Sequence, residues 1–207
     1  MNSCTLIALA RPTFQVDAAQ KFFDQARALL EGLGVTVNGP TNLVMTAEDT
    51  ESAKANLRSD EDLYILLNAS FSDASPAVSL LADVKGNVLL WSVREFGNVG
   101  DRLLLNSMCG SNLASHALRT AGKSTVHIHG NPDEAEIKES LRDALSGKLP
   151  NIGEPARVHG DKAESDKVDQ ALASLKVRRL AQSVMLRLDL RHVIMMQEFC
   201  SNILASK

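Results

Sequence analysis

Apolar runs of strand length alternate along the chain with segments whose apolar residues recur at helical spacing. The first run, from Cys4 to Ala10, is almost entirely apolar, which is typical of a strand covered on both faces of a parallel sheet. From Val16 to Leu33 the apolar residues recur every three or four positions, and Gly32 or Gly34 can end a helix there. The pattern therefore predicts a strand followed by a helix.

The same alternation continues to about residue 146. We predict further strands at 35–37, 63–67, 88–91 and 125–128, and further helices at 47–58, 76–84, 112–120 and 132–146. Alternating strands and helices with short connections form a parallel sheet with right-handed crossovers and helices on both faces. The predicted fold class is therefore α/β, a doubly wound parallel sheet of about five strands.

The chain changes character near residue 150. Residues 149 to 161 are rich in Gly, Pro and charge, residues 163 to 182 have a helical pattern, and residues 184 to 207 hold three methionines but no Gly or Pro. We predict one domain over residues 1–150. Residues 151–207 are predicted to form a linker, a helix and an atypical helical C-terminal tail, as the incomplete start of a second domain.

Composition and charge exclude several classes of protein. The hydrophobic fraction of 44% and the charged fraction of 23% are those of a globular protein without a membrane span. A net charge of -3 gives little attraction for phosphates, so we expect no nucleic-acid partner. The three cysteines are far apart in the sequence and predict neither a disulfide framework nor a metal pair. We expect a cytoplasmic location.

In a sheet of this class, ligands bind beyond the carboxyl ends of the strands. Arg11 follows the first predicted strand, and Trp91 ends the fourth. A guanidinium offers a fork of donors to hydroxyls or an anion, and an indole offers an apolar platform to a sugar ring. The simpler alternative is a surface arginine and a core tryptophan.

His127 and His129 lie two positions apart on the fifth predicted strand. Their side chains should share one face of that strand and could together bind a metal. The sequence indicates no third ligand, so the simpler interpretation is a pair of ordinary histidines at a strand end.

Five short segments, taken together, resemble the N-terminal part of L-fucose isomerase-like proteins over roughly residues 5 to 130. They are Leu9–Phe14, Gly39–Pro40 with Val44–Asp49, Asn68–Asp73, Leu89–Trp91 and Leu105–Gly110. The resemblance implies a flavodoxin-like N-terminal domain, followed in the family by a second α/β domain and a C-terminal domain. It also implies interconversion of aldoses and ketoses in carbohydrate metabolism.

The resemblance carries expectations for binding. Arg11 and Trp91 match the family's substrate-contacting arginine and tryptophan, and Asn68 and Asn106 are added as substrate-binding candidates by their position. The partner would be a small-molecule sugar, and the full-length protein would be a homo-oligomer. The family's Mn²⁺ is held by a Glu, an Asp and a His of later domains. We therefore expect no cofactor and no catalytic residue in this chain, and Mn²⁺ in the complete family enzyme.

Two hypotheses for function remain open. Family members continue past an arginine-rich helix such as 176–180 into a strand and a glycine turn, whereas residues 184–207 differ here. This favours a truncation, frameshift or gene-model break near Ser183, and hence a piece of an isomerase that is inactive alone. The alternative is a stand-alone, non-catalytic module that binds a small polyol or a protein partner.

Overall fold

A computed structural model of the protein describes residues 1–98, 100–149 and 167. The chain divides into two units, Met1–Gly153 and Glu154–Lys207. All described residues except Lys167 belong to the first unit. The predicted helix at 163–182, apart from residue 167, and the predicted tail at 184–207 lie outside the described residues. The domain boundary at residue 150 stays a prediction.

Strands and helices alternate throughout the first unit, as the hydrophobic pattern predicts. The strands are β1 (Ser3–Leu9), β2 (Thr36–Asn38), β3 (Leu63–Asn68), β4 (Asn87–Ser92) and β5 (Thr125–His129). The helices are α1 (Val16–Gly32), α2 (Ala47–Ala55), α3 (Ala74–Leu81), α4 (Ser107–Thr120) and α5 (Ala135–Leu145). The predicted order of elements is confirmed.

All paired strands run parallel, and their order in the sheet is β2-β1-β3-β4-β5. The predicted α/β fold is therefore confirmed, and this strand order is the flavodoxin-like one. The chain moves outward from β1 to β2 and then crosses back to β3. The carboxyl ends of β1 and β3 form the topological switch point, where ligands of such sheets usually bind.

Both faces of the sheet are covered, which explains why the strands are nearly continuous apolar runs. On one face, α1 and α5 pack against Leu6, Ala8, Ile65, Leu67, Leu89 and Trp91. On the other face, α2, α3 and α4 pack against Ile7, Leu9, Tyr64, Leu66 and Leu90. Burial of each large apolar side chain contributes about 1.5–3 kcal/mol to folding, so the sheet is the main source of stability.

Helix α4 begins at Ser107 rather than at the predicted residue 112. The first turn of α4 contains Gly110, a residue type that lowers helix propensity. A Cβ atom at Gly110 would lie 3.0 Å from the backbone nitrogen of Ser72 and 3.2 Å from Asn68 Oδ1. The glycine therefore serves close packing of α4 against the end of β3.

Candidate functional site

A cleft of about 430 Å³ lies at the switch point, between the loops that follow β1 and β3 and the first turns of α2 and α3. Its lining includes the charged residues Arg11, Glu51 and Asp73 together with the hydroxyls of Thr46 and Ser75. A concave site with a few convergent polar groups at this position is the usual ligand site of a doubly wound sheet.

Arg11 lies at the edge of this cleft, as its place after β1 predicts. Its Nη1 is 3.4 Å from Asp73 Oδ1, and its guanidinium lies 5.5 Å from the centroid of the Phe71 ring. The Arg11 side chain keeps 43% of its surface exposed. Because exposed ion pairs contribute only about 0–1 kcal/mol, the guanidinium can exchange Asp73 for an anionic or hydroxylated ligand.

The backbone around Arg11 is fixed by a contact between two strand ends. The Arg11 N–H donates a hydrogen bond of 3.0 Å to Ser70 Oγ. The ring of Phe71 in turn packs against Phe14, with 5.8 Å between centroids. The loops after β1 and β3 therefore hold the arginine in place from both sides.

Asn68 ends β3 as expected, but its side chain is entirely buried. Its Nδ2 donates to Ser111 Oγ at 2.9 Å, and its Oδ1 accepts from Ser72 Oγ at 3.1 Å. Its carbonyl oxygen accepts a hydrogen bond from the Ser107 hydroxyl. Asn68 therefore cross-links β3, the following loop and α4. Its contact with substrate stays a prediction.

Asn106 lies immediately before α4 in the left-handed backbone region, with φ of 52°. Its backbone N–H donates a hydrogen bond of 2.7 Å to Glu95 Oε2. Asparagine tolerates this conformation better than most residues, so the residue type suits a tight turn into the helix. Its role in substrate binding also stays a prediction.

The carboxylate of Glu95 organises the loop that connects β4 to α4. It accepts hydrogen bonds from three consecutive backbone N–H groups, those of Leu104 at 2.7 Å, Leu105 at 3.1 Å and Asn106 at 2.7 Å. Three adjacent N–H groups at a helix start attract anions. Here the chain's own carboxylate takes that place, a contact that the sequence alone did not indicate.

Trp91 lies on β4 one residue before its end, but its indole points into the core. The residue has 0% of its surface exposed, and its Nε1 donates a hydrogen bond of 2.8 Å to the carbonyl oxygen of Gly130. Its position therefore fits the alternative of a core tryptophan. Stacking of a sugar on Trp91 stays a prediction, and it would require the indole to be uncovered.

His127 and His129 share one face of β5, as their spacing predicts. Ser92 Oγ lies 2.8 Å from His127 Nε2 and 2.9 Å from His129 Nδ1. Loss of hydration around the His127 ring lowers its pKa, and the nearby charge of His129 lowers that pKa further. Within residues 1–98 and 100–149, no group of three or more His, Cys, Asp or Glu side chains is placed to hold a metal.

No helix in the described part of the chain is both long and apolar enough to cross a membrane.

The fold and the cleft define a doubly wound α/β unit with a polar site at its switch point. No family model matches the chain. The chain is similar to curated proteins named sulfoquinovose isomerase. It is 31% identical to that of Priestia aryabhattai over 136 residues, which make up 65% of this chain and 30% of the relative.

Two further sulfoquinovose isomerases show the same degree of similarity. The protein of Alkalicoccus urumqiensis is 32% identical over 141 residues, 68% of this chain and 31% of the relative. That of Clostridium sp. (strain MSTE9) is 30% identical over 135 residues, 65% of this chain and 30% of the relative. The similarity is thus to sugar isomerases, and the matched part of this chain spans about 30% of their length.

Proposed function

We propose that this chain is the N-terminal α/β portion of a sugar isomerase of carbohydrate metabolism, which interconverts an aldose and a ketose. The observation that carries the proposal is the identity of 30–32% with sulfoquinovose isomerases over about two thirds of this chain. The ordered resemblance of five segments to L-fucose isomerase-like proteins supports the same class. We further propose a cytoplasmic enzyme that is a homo-oligomer at full length.

Arg11 is the residue that we propose for substrate contact. Sulfoquinovose carries a sulfonate as well as hydroxyl groups, and both are acceptors for a guanidinium. Arginine binds such planar or tripodal acceptors through several N–H groups at once. Because Arg11 lies at the cleft with a weak, exposed ion pair to Asp73, it can offer its donors to either group.

The manganese ion implied by the resemblance would polarise the hydroxyl and carbonyl oxygens between which the proton moves. The described residues do not fit such a site, since no group of three or more His, Cys, Asp or Glu lies together among them. We therefore derive no chemical step through this metal. The role of the described unit is to bind and orient the sugar.

The alternative function is a stand-alone module that binds a small polyol. The cleft of about 430 Å³ supports it, since the described residues alone enclose a space large enough for a monosaccharide. Catalytic activity of a hybrid with the remaining isomerase domains distinguishes the two functions. A stand-alone module would not supply the N-terminal part that such domains need.

Calorimetric titration with sulfoquinovose and with glucose tests the proposed contact. We expect sulfoquinovose to bind more tightly, and we expect Arg11→Ala to weaken it at least about tenfold because a charge-assisted hydrogen bond is worth about 1.5–3 kcal/mol. Arg119→Ala, which removes an exposed arginine of α4, serves as the control. Equal binding by wild type and Arg11→Ala would refute the contact.

A turnover assay tests the role of the chain in isomerisation. With sulfoquinovose and Mn²⁺, we expect this chain alone to produce no ketose. We expect metal-dependent turnover when residues 1–149 replace the matching N-terminal part of a sulfoquinovose isomerase. A folded hybrid that binds Mn²⁺ but turns over no sugar would instead favour the stand-alone module.

A further inference from the structure

A second polar cluster lies at the carboxyl ends of β4 and β5, and it shares no residue with the lining of the cleft. It consists of Ser92, His127, His129 and Met108, and we refer to it as the histidine cluster. Ser92 Oγ contacts both imidazoles at 2.8 and 2.9 Å, and it lies 3.8 Å from Met108 Sδ. The proposed sugar contacts use none of these side chains.

The parallel register of β4 and β5 brings the cluster together. Leu90 pairs with His127, and Ser92 pairs with His129. Since alternate residues of a strand point to the same face, both imidazoles lie on the face that carries α4. Met108 is in the first turn of α4 and adds its thioether from that helix.

Two nitrogen atoms of the cluster converge on one point. The ligand nitrogens of a metal ion likewise converge on one centre, with bonds of about 2.0 Å. The nitrogens of His127 and His129 lie 2.8 and 2.9 Å from the Ser92 oxygen. Both imidazoles therefore face one point, where an ion can replace the Ser92 hydroxyl as their shared partner.

An ion can reach the cluster from solvent. β5 is the edge strand of the described sheet, His127 is exposed and His129 is half-buried. Among the described residues, no strand forms hydrogen bonds with the outer edge of β5. Both histidines therefore reach solvent, whereas Ser92 between them is buried.

The donor types select the metal. Imidazole binds zinc, nickel and copper, and affinity among divalent ions of this row is greatest for Cu²⁺. A thioether is a soft ligand that favours Cu⁺, and in copper sites it also serves as a weak axial ligand of Cu²⁺. We propose that the histidine cluster is a copper-binding site, with His127 Nε2 and His129 Nδ1 as the principal ligands and Met108 Sδ as a weaker one.

Titration of the full chain with Cu²⁺, followed by calorimetry and electron paramagnetic resonance, tests this site. We expect one Cu²⁺ per chain with splitting from two nitrogens. We expect His127→Gln and His129→Gln each to weaken binding at least about tenfold, since each removes a ligand. His116→Gln, which changes an exposed histidine of α4, and Cys109→Ser, which removes the exposed thiol beside Met108, should leave binding unchanged.

Unchanged binding by both His127→Gln and His129→Gln would overturn the site, as would a tenfold loss in His116→Gln or Cys109→Ser. Zn²⁺ binding as tight as that of Cu²⁺ would overturn the preference for copper. Line broadening of imidazole proton resonances by Cu²⁺ can be measured on the unaltered chain, so it does not depend on whether the variants fold. Substoichiometric Cu²⁺ should broaden the imidazole proton resonances of His127 and His129 before that of His116, and broadening of His116 first would contradict the assignment.

Discussion

The side-chain amide of Asn68 at the end of β3 donates a hydrogen bond of 2.9 Å to Ser111 Oγ on α4. The bond is buried, and its partner Ser111 is almost fully covered. It links the strand that borders the cleft to the helix that carries Met108.

We predict that Asn68→Ala lowers the free energy of unfolding by about 1–3 kcal/mol, because it leaves the buried hydroxyls of Ser72 and Ser111 without this partner. Urea denaturation measures the loss. Asn112→Ala, at an exposed position of α4, should change stability by less than about 0.5 kcal/mol. Equal losses in the two variants would show that the Asn68 contacts do not stabilise the fold.

Trp91 is the only tryptophan in the sequence, and it is completely buried. We predict weak quenching of its fluorescence by acrylamide in the folded protein and strong quenching in urea. We also predict that Trp91→Ala lowers the free energy of unfolding by about 3–5 kcal/mol, because it leaves a large cavity in the core. Phe96→Ala, at an exposed position, is the control. Strong quenching without urea would mean that the indole is open to solvent and available to a ligand.

Glu95 holds the backbone N–H groups of Leu104, Leu105 and Asn106. We predict that Glu95→Ala accelerates hydrogen exchange at these three amides at least about tenfold, because bonds to a charged acceptor are worth about 1.5–3 kcal/mol. Glu95→Gln keeps one acceptor oxygen and should have a smaller effect. Nuclear magnetic resonance gives each amide separately, and unchanged exchange in Glu95→Ala would contradict the role of this carboxylate.

Asp49 and Thr46 form a capping box at the start of α2, beside the cleft. The Met45 and Thr46 N–H groups donate to Asp49 Oδ2 at 3.0 and 2.9 Å, and the Asp49 N–H donates to Thr46 Oγ1 at 3.0 Å. The hydrogen bond from the Met45 backbone, followed by contacts with Thr46, lowers the pKa of Asp49. The folded state thus favours the charged carboxylate.

A pKa that is lower in the folded than in the unfolded state stabilises the fold above the unfolded value of about 3.9. That stabilisation is lost as the pH falls through the lowered pKa. We predict that Asp49→Ala lowers the free energy of unfolding by about 0.5–2 kcal/mol at pH 7. The difference in this free energy between the variant and wild type should shrink toward pH 2. Urea denaturation across this range tests it. A stability difference that grows as the pH falls would contradict the predicted direction of the pKa effect.

The order of strands and helices could be predicted from the sequence because hydrophobic periodicity is a local property. Residues 4–9 and 63–68 are buried on both faces, and a strand of that kind is a nearly continuous apolar run. The start of α4 could not be predicted. Gly110 opposes a helix locally, and only its close approach to Ser72 explains its presence there.

The candidate site could be predicted only in part. The position of Arg11 follows from the end of β1, and strand ends of a parallel sheet meet at one edge. The partners of Arg11 are Phe71 and Asp73, and they come from the loop that follows β3. A helix, a short strand and a second helix separate β3 from β1 along the chain. Their contacts depend on the three-dimensional path of the chain.

The sequence by itself determined the α/β class, the alternation of elements, the location of Arg11 at the carboxyl edge of the sheet and the common face of His127 and His129. Only the tertiary structure decided that Trp91 points into the core and that Ser92 lies between the two imidazoles. The physical reason is that spacing along a strand sets which side chains share a face. The packing of helices and the register of neighbouring strands then decide which residues each face contacts.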